Sequence, residues 1–211
     1  MADFYVYVPF SGATGGGKDC YNNNCNVGNP CLNQPTNTCT ACGAADADCV
    51  NAIPCKHCSA WGCCPVDLPG AQFTACKIVT GTNVQSIKTT RVGGLCTAPA
   101  GWEWVREGVR VDLYCALNGP ANAWVGTVFF GHMQNRVADG VYNASGSGVV
   151  KTVGTIGGGN CCGCYTGSHV HLERLQPAGV TGATYGFNYG ASLPTSQWLF
   201  RFTKSNVGNC V

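Results

Sequence analysis

Charge is scarce in this chain: 12 Lys and Arg and 10 Asp and Glu among 211 residues leave a formal net charge of +2. No basic stripe gathers those few cations, which argues against a nucleic-acid backbone or an acidic membrane surface as partner. Long apolar runs are also missing. None approaches the ~20 residues that a membrane-spanning helix needs. No stretch sustains a 3.6-residue apolar pattern, which disfavours a helical bundle, and no internal repeat is evident. Met1–Val8 lacks the charged start, long apolar centre and small-residue cleavage site of a secretory signal.

What the chain has in abundance is cysteine and glycine, 17 and 30 residues respectively. With so few charges, this composition predicts a disulfide-bonded, loop-rich extracellular protein, whose export signal would lie outside this sequence. The length suits one medium domain, or one domain with a sizeable insertion. Ten of the 17 cysteines fall between Cys20 and Cys64. That stretch also holds Asn22-Asn23-Asn24 and little apolar periodicity, as expected of a segment stapled by disulfides. The organisation expected is an amino-terminal strand plus Cys-rich segment over residues 1–62, followed by a β domain over 63–211.

Within the Cys-rich segment, Cys39-x2-Cys42 and Cys55-x2-Cys58 have the spacing of a four-cysteine structural zinc site. The many surrounding cysteines favour half-cystines instead, and His57 then reads as an exposed loop residue. Asn143-Ala144-Ser145 is an N-glycosylation sequon, compatible with export.

From Val66 onward, short β-branched and aromatic runs alternate with glycine and proline. Lys77–Val79, Val84–Ile87, Val109–Tyr114, Trp124–Phe130, Val149–Val153 and Ser168–Leu172 read as strands. The fold class expected is mainly β, an antiparallel sheet core, with Phe4–Pro9 as an outer strand. Trp102, Trp104, Trp124, Phe129 and Phe130 are expected to fill that core.

One stretch carries chemistry: Gly167-Ser168-His169-Val170-His171-Leu172-Glu173. In a strand, alternate residues share a face, so His169, His171 and Glu173 stand on one side and Val170 and Leu172 on the other. Alone, this could be a strand with two surface histidines. It is preceded, however, by Phe130-Gly131-His132-Met133 and by Gly154-Thr155-Ile156-Gly157, and the stretch itself opens with Tyr165-Thr166-Gly167. This ordered succession resembles the lysostaphin/LytM-type zinc metallopeptidases, over roughly Cys63 to Leu199. The family's upstream His-x3-Asp motif has Cys63-Cys64-Pro65-Val66-Asp67 in its place, with cysteine where the family has histidine.

The resemblance implies an antiparallel sheet fold of the lysostaphin/LytM type and a zinc cofactor held by Cys63, Asp67 and His171. It implies further that His132 and His169 assist catalysis, and that the substrate is a peptide of the bacterial cell wall. Zinc accepts Cys thiolate, His nitrogen and Asp oxygen, so the cysteine is an allowed substitute. Glu173 reads as structural. Because 17 is odd, at least one thiol cannot pair within the chain. It can be Cys63 on zinc, adjacent Cys64, a free thiol elsewhere, or a bond to another chain that drives self-association. Cys161-Cys162-Gly163-Cys164 departs from the family and could staple the loop before His169 over the groove. If Cys63 is instead half of a disulfide, Asp67 and His171 are a two-ligand remnant, and the protein is an inactive binding or assembly module on the same fold.

Overall fold

The computed structural model describes residues 1–9, 63–69, 71–92, 108–157, 169–185 and 197–210. Its strands are β1 (Ala2–Pro9), β2 (Cys63–Pro69), β3 (Ala75–Thr80), β4 (Ser86–Val92), β5 (Gly108–Tyr114) and β6 (Trp124–Gly131), then β7 (Met133–Gln134), β8 (Gly140–Asn143), β9 (Val150–Ile156), β10 (His169–Leu175), β11 (Val180–Tyr185) and β12 (Gln197–Lys204). They form two six-stranded sheets, ordered β11-β12-β1-β3-β9-β7 and β2-β10-β6-β5-β4-β8. Among the described residues every pairing is antiparallel. The mainly β, antiparallel class expected from the alternating runs is therefore what the chain adopts.

Alternation explains why the two sheets face each other. Phe4, Val6 and Val8 of β1, Ile78 of β3, and Phe200 and Phe202 of β12 turn one face of the first sheet inward. Ile87, Val111, Leu113, Val128, Phe130, Val170 and Leu172 answer from the second. Each fully buried side chain of this size contributes about 1.5–3 kcal/mol of transfer free energy, which makes the shared interior the main source of stability.

The interior is tight where β6 meets β12. A Cβ placed on Gly126 would collide with the ring of Phe202. Gly126→Ala is accordingly expected to destabilise the fold by about 1–3 kcal/mol through overpacking. Urea unfolding checks this, and Gly126→Ala with Phe202→Leu should recover part of the loss.

The strands expected near Lys77, Val109, Trp124, Val149 and Ser168 are all present. β4 starts at Ser86, later than expected, because Gly81–Val84 closes a turn in which the Val84 N–H donates to the Gly81 carbonyl at 3.1 Å. β1 corrects the expectation of an outer strand. It lies between β12, which it pairs along its whole length, and β3. Its buried backbone thereby finds ladder partners on both edges. The expected core role of Trp124 is also corrected: it is half-buried at a register shift opposite Tyr114, and its Nε1 donates to the Gly126 carbonyl at 2.8 Å. Phe130 lies in the intersheet core as expected, whereas Phe129, although buried, stands outside that cluster, on the sheet's other face opposite Arg110. Trp102, Trp104 and His57 lie outside the described residues, as do residues 10–62 and 158–168 with their cysteines. Among the described residues, no helix is long and apolar enough to cross a membrane.

Candidate functional site

β10 runs between β2 and β6 and is the strand on which the distant motifs meet. Val170 and Leu172 are fully buried in the intersheet core. Alternation then assigns positions 169, 171 and 173 to the opposite face of the sheet. On one flank His171 is the direct partner of Asp67, and His169 of Pro69. On the other flank His171 is the direct partner of Gly131, and Glu173 of Phe129. A single row across three strands thus reads Asp67, His171, Gly131. Residues that face each other across an antiparallel pair have Cβ atoms about 4.5–5.5 Å apart.

His132 follows Gly131 directly. There the chain leaves the second sheet, and at Met133 it joins the first, where Met133 and Gln134 pair with Ile156 and Thr155. The step between sheets puts His132 at φ 59, a left-handed conformation uncommon for a residue other than glycine. Its side chain is buried. The turn is held from the glycine motif: the Gly157 N–H donates to the His132 carbonyl at 2.8 Å. Gly154 fits against the same turn, since a Cβ there would stand 2.8 Å from the Gln134 carbonyl oxygen and 3.0 Å from Met133 Cε. The two motifs that precede the His-x-His strand are therefore in contact with each other at its side.

Cys63 occupies a different position. The pairing is Leu172 with Val66 but Arg174 with Cys63, so β2 spends one more residue than β10 over this interval. Among the described side chains no three metal donors group together. Asp67 and His171 come together by strand register, and their chemistry suits zinc.

Further along the face that carries His171, positions 110 and 112 of β5 stand opposite Phe129 and Thr127. Arg110 Nε donates to Asp112 Oδ1 at 2.7 Å, and the Thr127 hydroxyl donates to the same oxygen. The Arg110 guanidinium also lies 5.8 Å from the ring centre of Trp124. Burial, and next the Asp112 carboxylate, push the Tyr114 hydroxyl above its ordinary pKa. Sequence reading missed this polar strip. Its only local signal was the alternation Arg110-Val111-Asp112-Leu113, which looks like any half-exposed strand.

Among the described residues, one unpaired thiol lies within the core. Cys76 is free and fully buried in β3, where desolvation pushes its pKa up to about 12. Cys115 and Cys210 form a disulfide. Asn143 of the sequon is exposed at the end of β8; its side-chain oxygen accepts the Asn118 N–H at 2.8 Å and its amide donates to Asn118 Oδ1 at 2.9 Å. The chain matches no protein-family model, and no characterised protein matches it either.

Proposed function

We propose that this protein is an exported zinc metallopeptidase of the lysostaphin/LytM type, cleaving short Gly- or Ala-containing peptides of bacterial cell walls. The observation that carries the reading is the row of cross-strand partners Asp67, His171 and Gly131, with His132 next in the chain. Asp67 and His171 would hold the metal, together with one cysteine of the Cys63-Cys64 pair. Zinc, when bound, supplies Lewis acidity and makes water a competent nucleophile near neutral pH. His169, two residues from His171 on the same face, would take and return the proton at an imidazole nitrogen. His132, buried at the corner between sheets, would orient the peptide carbonyl. The low net charge suits a neutral, glycine-rich substrate.

Elemental mass spectrometry of the natively oxidised protein is expected to find close to one zinc per chain. His171→Ala is expected to lose it. His169→Ala is expected to keep the metal while hydrolysis of an oligoglycine peptide falls by about 10²–10⁴, the usual contribution of a positioned proton-transfer group. Metal-free native protein, or loss of metal in both variants, would overturn the assignment.

A second reading has an observation of its own. Cys76 is an unpaired thiol, and once it is set aside the 16 remaining cysteines are even in number. All of them can then pair within the chain, which suits a non-catalytic binding or assembly module. The readings differ in thiol count. If every other cysteine is paired, a denatured, unreduced chain titrates as one thiol per molecule. A zinc-bound cysteine requires at least three, or two together with an interchain disulfide.

A further inference from the structure

We propose that the cavity at the Cys115–Cys210 end of the two sheets is a binding site for a small uncharged aromatic molecule that carries an N–H donor, the chemistry of indole. None of the residues that line it is a candidate donor of the metal centre, so the site stands independently of the metallopeptidase reading. The space measures about 260 Å³. Ala2 and Phe4 reach it from β1 of the first sheet, and Asn83 and Gln85 from the turn that leads into β4 of the second. The disulfide, which ties the end of β5 to the segment after β12, completes the lining together with Val207. The Cys210 N–H donates to the Val207 carbonyl at 2.8 Å, which holds these two residues in one turn.

The apolar part of the lining selects a ring. Phe4 is buried, Ala2 and Val207 pack partly buried against the core, and the cystine sulfurs are soft and polarisable, a surface that aromatic edges favour. An engineered cavity of about 150 Å³ with aliphatic and aromatic walls takes up benzene, so the larger space here has room for two fused rings. The polar part selects a donor. Asn83 Nδ2 donates to the Asp3 carbonyl at 2.9 Å, and Gln85 Nε2 to the Thr82 carbonyl at 2.7 Å. Each carboxamide thus commits its nitrogen to a protein acceptor, while its oxygen, with two lone pairs, accepts from no donor among the described residues. A ring N–H answers those oxygens. Gln85 is also fixed through its backbone, whose N–H donates to the Tyr114 carbonyl at 2.8 Å and whose carbonyl accepts the Ala144 N–H at 2.7 Å, so little order need be bought on binding. No charged side chain lines the cavity among the described residues, and a charged ligand would leave its charge unpaired there.

Amide-resolved NMR of the full-length, natively oxidised protein titrated with indole is expected to give saturable shifts at Asn83 and Gln85, their side-chain amides included, and at Ala2 and Phe4. N-methylindole keeps the rings and lacks the donor. Its affinity is expected to be about tenfold lower, the loss that follows when a hydrogen bond is removed and its acceptor is left dry. In the double variant Asn83→Leu with Gln85→Met the two ligands should bind within about twofold of each other, because the acceptors that told them apart are gone. Val207→Trp fills the space and is expected to bind neither ligand. The comparison of the two ligands on the unaltered protein needs no variant, so it decides even where Val207→Trp fails to fold. No saturable shift with indole, shifts confined to other surfaces, N-methylindole bound as tightly as indole, or a folded Val207→Trp that still binds would each overturn the site and leave the metallopeptidase reading standing.

Discussion

Replacing Cys115 and Cys210 together by alanine is expected to cost the protein about 4–5 kcal/mol, which places it among the most damaging changes available to the fold. The two residues are 95 apart in sequence, and in the chain-entropy account a cross-link over so long a loop removes about that much freedom from the unfolded state. Position adds to the effect. Cys115 follows β5 of one sheet and Cys210 follows β12 of the other, so the bond joins the two layers at one end of their shared core. At roughly 2–4 °C per kcal/mol for a chain of this size, the melting temperature should fall by about 10–20 °C. Calorimetry of the double variant under non-reducing conditions measures it. A fall of only a degree or two would mean that packing alone holds the sheets together.

The second large effect concerns Cys76. Its thiol is expected to react with iodoacetamide at pH 8 about a thousandfold more slowly in the native protein than in urea. The alkylating species is the thiolate, and burial lifts the pKa from 9.0 to about 12, which lowers the thiolate fraction by that factor before any steric protection is counted. The same shift has a consequence for stability. Below pH 9 both folded and unfolded chains keep the proton, and the neutral thiol costs nothing. Between pH 9 and 12 the unfolded chain releases it while the folded chain holds it, so stability falls by up to about 1.4 kcal/mol per pH unit. The difference in absorbance at 240 nm between the protein and Cys76→Ala follows the thiolate: it should titrate near pH 9 in urea and only near pH 12 in the native state. Native alkylation at the rate of an exposed thiol would show that β3 opens readily.

Cys76 also changes the meaning of the odd cysteine count. Before the fold is known, the leftover thiol can be assigned to zinc, to another chain or to an interior position with equal chemical sense. With the thiol buried opposite Gly154 in the core, it cannot bridge to a second molecule without unfolding β3. A covalent oligomer would have to use another cysteine. The metal reading then stands on its donors and their register alone.

The strand that carries the candidate site was legible from residue order, and for a local reason. A strand shows its two faces through a period of two, so His169 and His171 on one side and Val170 and Leu172 on the other follow from four consecutive letters. The same holds for β3, β5, β6 and β9, whose alternation or continuous apolar runs betray them. β11 was less visible, with Gly182 and Ala183 at its centre, and it forms by pairing with β12 from Val180 to Tyr185. The two-residue β7 has no pattern of its own; Ile156 and Thr155 across the ladder create it.

What the chain's own letters determined is the class of structure, antiparallel strands from alternation; they also supply the expectations behind the proposal, disulfides from 17 cysteines among few charges and Cys63, Asp67, His132, His169 and His171 as candidate site residues. Tertiary structure alone decided who stands beside whom. That β1 is central, that Asp67 is the partner of His171 across a ladder, that β2 spends one more residue than β10 between Val66 and Cys63, and that Cys76 is buried opposite Gly154 are all facts of register. Register depends on pairing between segments as far apart as Ala2 and Lys204. A shift of one residue leaves the local pattern of a strand unchanged and sends each of its side chains to the other face, which is why the pattern cannot report it and the packed sheets can.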